Sequence, residues 1–263
     1  VAIYSFWIFL NVIMDKVYWS TGQFVLGAVV GTAAVAVFAV AIQLQVMYMQ
    51  FSTAISQLFL PKITGMVATN DDNRSISDLF IRTGRIQYIV MALVLSGFIV
   101  FGRQFIVLWA GAGYEDAYII CLLFFFSLLI PMIQNLGITI LQARNQMKFR
   151  SLLYIFIAMA ALALQIVLAR RYGGVGCAIA VSGALLLGQG LIMNIYYSKR
   201  QGIDIGRFWK EIFRMSVIPI AVTTTFLFAD RMTEIDSWRE LAVGIVLFCV
   251  LYIPLFWVLS ESC

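Results

Sequence analysis

Asn11, Asp15 and Lys16 interrupt a stretch, Val1 to Gly22, that otherwise reads as membrane-embedded. Asn11 and Asp15 stand four residues apart, so a helix places them on one face. A charge at the centre of a bilayer costs roughly 2.5–3.5 kcal/mol on insertion scales, and it persists only against protein, water or a counter-charge. The chemistry such a pair supports is holding a proton, a sodium ion or a polar cargo. In the next hydrophobic run, Gln43, Gln50 and Gln57 recur every seven residues and form one polar stripe. A third stripe, Asn135, Thr139 and Gln142, follows Pro131. Polar stripes on neighbouring apolar helices either line a polar cavity or hold helices together through amide hydrogen bonds. For Asp15 and Lys16 the alternative to a cavity is the external interface, with Lys16 reaching the headgroups.

The chemistry of bond-making is missing. The chain has no histidine, which removes the commonest general base and metal ligand. There is no GxSxG, P-loop or HExxH motif, and no DxD on a loop. Cys121, Cys177, Cys249 and Cys263 lie far apart and read as small hydrophobes rather than as a metal site or a disulfide frame. No catalytic or metal-binding residue is expected, and no cofactor beyond a coupling proton or sodium ion.

The elements that must position these residues are membrane helices. Of 263 residues, 62% are hydrophobic and 12% charged, with a mean hydropathy of +0.95. Soluble domains carry about twice that share of charge. The fold class is an all-α integral membrane protein. Eight segments reach the roughly 20 apolar residues a span needs: 1–22, 33–60, 86–110, 116–143, 150–170, 174–198, 212–229 and 240–259. Pro61 is expected to end the second, and Pro131, Pro219 and Pro254 to kink theirs. Gly176, Ala180, Ala184 and Gly188 form a row that lets helix backbones approach closely.

The net charge of +5 follows from the loops rather than from nucleic-acid binding. Lys62, Arg74, Arg82, Arg85, Arg144, Lys148, Arg150, Lys199, Arg200, Arg207, Lys210 and Arg214 follow the even-numbered spans. Arg103, Arg170, Arg171, Arg231 and Arg239 lie on the other side, and only Lys16 is deep. The bias places loops 61–85, 144–150 and 199–214 in the cytoplasm. Asn70-Asp71-Asp72-Asn73 is turn chemistry, and Ser75 and Asp78 have capping-box spacing. Gly111-Ala112-Gly113 and Gly173-Gly174 are expected to make external turns, and the acidic loop 230–240 reads as a solvated one. Asp204 precedes Ile205 to Met215, which reads either as an interfacial amphipathic helix or as the ragged start of span seven.

Several stretches together resemble a known family. They are FWIFLNVIMDKVYWSTGQFVLGAVVGTAAVAVFAVA (6–41), ISQLFLPKIT (55–64), FIVLWAGAGYEDAY (105–118), LGITILQARNQMKFRS (136–151) and the run from Tyr172 to Lys210. Their order and spacing are similar to the bacterial polysaccharide-transport proteins. These are lipid-linked O-antigen or exopolysaccharide repeat-unit flippases of the multidrug/oligosaccharidyl-lipid/polysaccharide exporter superfamily. The resemblance implies two six-helix lobes around a central cavity, as in MATE-like transporters, often with two extra helices. Residues 1–200 would be the second lobe. Residues 201–263 would be a cytoplasmic interfacial segment plus the two extra helices. An amino-terminal lobe would precede Val1. The implied activity is not enzymatic: it is alternating-access transfer of an undecaprenyl-diphosphate-linked oligosaccharide across the bacterial inner (plasma) membrane. The implied partners are that lipid, the bilayer and the first lobe, with no nucleic acid. Asn11, Asp15, Lys16, Gln43, Gln50, Gln57, Asn135, Thr139 and Gln142 are the expected lumen residues. A cation-coupled multidrug antiporter of the same fold stays open as an alternative, as does a membrane-embedded glycan polymerase or glycosyltransferase, which the short external loops disfavour.

Overall fold

A computed structural model describes residues 2–69, 72–230 and 237–261. The described residues form helices joined by short turns: α1 (Ala2–Val29), α2 (Thr32–Ala68), α3 (Asn73–Ala110), α4 (Asp116–Ile133), α5 (Leu136–Ala143), α6 (Met147–Leu185), a π-helical segment (Leu186–Ile192), α7 (Met193–Gln201), α8 (Ile205–Met215), α9 (Val217–Asp230) and α10 (Trp238–Glu261). Among the described residues, six helices are long and apolar enough to cross a membrane.

The longest of these runs from Met147 to Gln201, 55 residues, which would extend roughly 80 Å if straight. It is not straight. Gly173 breaks it with φ 56° and ψ −134°, a conformation that suits a residue without a Cβ. Tyr18 shows that the chain folds back there. Its ring packs 5.9 Å from that of Tyr154, and its hydroxyl donates to the Val181 carbonyl at 2.5 Å. A continuous helix would hold Tyr154 and Val181 roughly 40 Å apart. The small-residue row explains how closely the two arms run. A Cβ on Gly176 would strike the Leu168 carbonyl, and one on Gly188 would strike Ile157.

Several boundaries depart from expectation. α1 runs past Gly22 to Val29. Pro61 does not end α2, which continues to Ala68. Next to it, Thr64 Oγ1 donates to the Leu60 and Pro61 carbonyls at 3.0 and 2.9 Å. α3 starts at Asn73, so Ser75 lies inside the helix and makes no capping box; Asp78 pairs instead with Arg207 at 2.6 Å. Pro219 lies three residues past Ser216, the turn that interrupts the helical run Ile205–Phe228 and divides α8 from α9, as expected of a proline that removes one helical bond. The turn at Asn70 and Asp71, and residues 231–236 of the acidic loop, lie outside the described residues. Other turns hold: Gly111 and Gly113 have φ of 98° and 102°, and Asp204 Oδ1 caps α8 by accepting from the Arg207 amide at 2.9 Å.

The three cation-rich loops meet at one end of the bundle. Arg144 donates to Asn73 Oδ1 at 2.7 Å and to the Gln201 carbonyl at 2.9 Å, and Gln201 donates to Gln146 at 2.6 Å. α8 is docked rather than ragged, with Ile205, Phe208, Ile212 and Met215 buried. Phe208 packs on Phe80 and fills the space left by Gly84. α4 packs against α2, α3 and α6, α1 lies along α6, and α9 and α10 lie on α3.

Candidate functional site

α1 and the first arm of α6 run parallel, Trp7 beside Ser151 and Gly22 beside Gln165. That register sets the polar face of α1 against the start of α6. Arg150 donates to Asn11 Oδ1 at 3.0 Å, and Tyr154 OH donates to Asp15 Oδ1 at 3.0 Å. The Arg150 guanidinium also lies 5.5 Å over the Tyr154 ring, a cation–π distance. These groups line a cavity of about 240 Å³, with Lys16 and Trp19 from α1, Met49 and Thr53 from α2, Gln134 and Asn135 after α4, and Gln189 from the π-helical segment.

Two irregularities shape its wall. Past Pro131, α4 stops at Ile133 and α5 restarts at Leu136. At the break the Met132 carbonyl accepts from the Asn135 amide at 3.3 Å and from Ser52 Oγ at 2.6 Å in place of a donor four residues on. Such replacement by a neighbouring hydroxyl is how an interrupted helix survives in a membrane. The second irregularity is the π-helical segment, which carries Gln189 into the cavity wall. Single π-turns are frequent at functional sites.

Arg150 is 8% exposed, and among the described residues no carboxylate lies within ion-pairing distance of it. A buried guanidinium without an anion is costly. Its Nε has no hydrogen-bond partner, and the same holds for Asn11 Nδ2, Trp19 Nε1 and Gln189 Nε2. All four belong to cavity-lining residues, and all four are donors. The Asn11 orientation is set by Arg150, which occupies its oxygen. The cavity wall thus sets positive charge from Arg150 and Lys16 against one carboxylate, Asp15, with unpartnered donors buried among its lining residues.

Of the residues singled out from sequence, Asn11, Asp15, Lys16 and Asn135 come together at this cavity. Asn11 and Asp15 are half-buried and Lys16 is exposed. Gln43, Gln50 and Gln57 share the exposed side of α2 and do not line the cavity. Thr139 is buried and Gln142 half-buried on α5, away from it. The amides that join α2 to its neighbours are others. Gln87 donates to the Ser52 carbonyl and to the Ser52 and Ser56 hydroxyls at 3.1, 3.1 and 2.7 Å.

Arg150, counted from the sequence among the loop cations, is buried beside Asn11, and Lys16 is exposed and lines the same cavity. The reason for the burial is physical. The start of α6 packs inside the bundle at the level of Asn11, so a basic residue at the end of a span is enclosed by protein. Tyr154, Gln134, Gln189 and Asn194 also escaped notice. Gln134 and Trp209 both donate to Asn194 Oδ1, at 2.8 and 2.9 Å. The four-residue spacing of Arg150 and Tyr154 was the available signal, since it matches that of Asn11 and Asp15.

Residues 1–119 match the model of a family described as polysaccharide biosynthesis protein. The match spans α1, α2 and α3, and includes Asn11, Asp15 and Lys16. No curated protein and no solved structure matches the chain. The family match and the membrane-helical architecture fit a polysaccharide-related membrane protein.

Proposed function

We propose that the chain is part of a flippase that moves an undecaprenyl-diphosphate-linked oligosaccharide across the bacterial inner membrane by alternating access, and that it acts as a transporter rather than an enzyme. The observation that carries this reading is the buried Arg150 guanidinium in the cavity wall, with no carboxylate in ion-pairing range among the described residues. Diphosphates and sugars are rich in acceptors, and a guanidinium suits phosphate oxygens in particular. Two cations against one carboxylate favour an anionic cargo over the cationic drugs of an antiporter.

The eight-span arrangement belongs to this proposal. α1, α2 and α3, then α4 with α5, the two arms either side of Gly173, α9 and α10 supply the spans. The first six make one lobe and α9 and α10 the added pair. A first lobe covers the cavity's open side and the exposed Gln43, Gln50 and Gln57, and cargo passes between the lobes as one rocks against the other. Asp15 binds a coupling proton or sodium ion, or orients Lys16 and Arg150.

The test is complementation of surface polysaccharide in a flippase-deficient strain by the full-length protein. Arg150→Gln is expected to lower export at least tenfold at unchanged membrane level, and Lys16→Ala and Asp15→Asn to lower it less. Normal export by all three variants overturns the assignment of this cavity.

A further inference from the structure

Three side chains fix which way an amide in the cavity wall must face. Gln134 stands in the break between α4 and α5, buried and lining the cavity. Asn194 lies in the first turn of α7, just past the π-helical segment, and Trp209 comes from α8. Asn194 Oδ1 accepts from Gln134 Nε2 at 2.8 Å and from Trp209 Nε1 at 2.9 Å. Asn194 Nδ2 donates to the Gly190 carbonyl at 2.6 Å.

A side-chain amide on its own can be turned end for end, because its oxygen and nitrogen have nearly the same shape. Here that freedom is gone. An indole N–H only donates, and a backbone carbonyl only accepts. Trp209 therefore requires an oxygen from Asn194, and Gly190 requires a nitrogen, so both ends of the Asn194 amide are assigned. With its oxygen towards Gln134, Asn194 takes the nitrogen end of that amide as well. The Gln134 Oε1 is left on the other side. Among the described residues it accepts no hydrogen bond, and the protein does not enclose it, so it is open to the cavity that Gln134 lines.

Arg150 and Lys16 suit the oxygens of a diphosphate, but an ionised diphosphate has no donor to give Gln134. The inference rests on the reading of the cavity as a site for a diphosphate-linked saccharide, in which the hydroxyls of the sugar are the groups able to donate. We infer that Gln134 Oε1 accepts a hydrogen bond from a hydroxyl of the sugar joined to the diphosphate, and that Asn194 holds Gln134 in the orientation this requires. Asn194 is a positioning residue: it does not line the cavity and acts through Gln134. A site built to pair with a hydroxyl disfavours a ligand that lacks it.

The full-length protein in nanodiscs is titrated with two diphosphates that share a geranylgeranyl tail. One carries glucose on its second phosphate, and the other carries cyclohexyl, a ring of similar size without hydroxyls. The unaltered protein should bind the glucosyl compound about tenfold more tightly, the size of one hydrogen bond in a protein site. Gln134→Met and Gln134→Leu should each bring that ratio to one while keeping the affinity for the cyclohexyl compound, which reports that the variant is folded. Asn194→Leu frees Gln134 to turn and should lower the ratio. Asn194→Asp still presents an acceptor to Gln134 and Trp209 and should preserve it. Equal affinity of the unaltered protein for the two compounds, or a ratio that survives both Gln134 variants, overturns the contact with the hydroxyl and leaves the diphosphate reading standing. A ratio unchanged in Asn194→Leu overturns the positioning role. Binding of neither compound by the unaltered protein overturns the diphosphate reading, and the contact with it.

Discussion

The seam between α1, α4 and α6 carries Arg150, Asp15 and Lys16 around a donor-rich cavity, whereas the seam between α3, α9 and α10 is apolar and aromatic. There Phe101, Phe226 and Phe248 meet edge to face, and Phe248, Tyr252 and Phe256 stack, with ring centroids 5.0 to 6.2 Å apart. A groove of about 320 Å³ beside them is lined from Leu93 to Phe105 and from Ile245 to Cys249 by apolar residues and glycines. Both seams join long helices, but in a membrane their materials act differently. Aromatic packing gains dispersion contacts, and the cost of desolvation there falls on one polar atom, the Tyr252 hydroxyl, which is buried without a partner. Buried donors without acceptors lower stability until a ligand supplies them. The contrast suits the α3 seam to stability and, on the proposed function, the α1 seam to binding.

The largest effect on stability is therefore expected in the dry seam. Phe248 is 1% exposed and touches three other rings. Phe248→Ala should cost about 3–5 kcal/mol, measured by reversible unfolding in mixed micelles. A loss under about 1 kcal/mol would mean that the seam is not what holds α9 and α10. Next comes Gln87, which bridges α3 to α2. Gln87→Met should cost about 1 kcal/mol, the usual size of a polar bridge in a membrane bundle. A cost as large as that of Phe248→Ala would break the contrast, since a polar group would then stabilise as strongly as the rings.

Arg150→Met should change stability by less than about 1 kcal/mol, or raise it, because an apolar side chain of similar length replaces an unpaired buried charge. Export should nevertheless fall. A drop in unfolding free energy as large as that of Phe248→Ala would make Arg150 structural. The smallest effect is expected from the exposed amides. Replacing Gln43, Gln50 and Gln57 with Leu should shift stability by within about 0.5 kcal/mol each, while lowering export. Loss of stability without loss of export would make the stripe a packing surface.

Much of this was readable in the residues. The face shared by Asn11 and Asp15, the turns at Gly111, Gly113 and Gly173, and the cap at Asp204 are local features, and local spacing determines them. Arg150 was not readable, because counting basic residues by loop assumes that the end of a span is wet, and this one is enclosed by α1. The glue amide Gln87 lies alone in an apolar run, without a period to mark it, whereas the periodic Gln43, Gln50 and Gln57 drew notice and lie outside the packing. Pro61 misled for a similar reason. A proline removes one bond, but a helix supported by neighbours continues through it. The π-helical segment has no sequence signature, so the placement of Gln189 required the packed structure.

The central claim is that the cavity around Arg150 recognises a diphosphate, and binding tests it most directly. The full-length protein in nanodiscs is titrated with geranylgeranyl diphosphate and, separately, with geranylgeraniol, which has the same tail and no charge. The account predicts saturable binding of the diphosphate only, weakened at least tenfold by Arg150→Gln and unaffected by Lys210→Gln on the exposed side of α8. Equal affinity for the two compounds, or an Arg150→Gln protein that binds as well as the unaltered one, would contradict it.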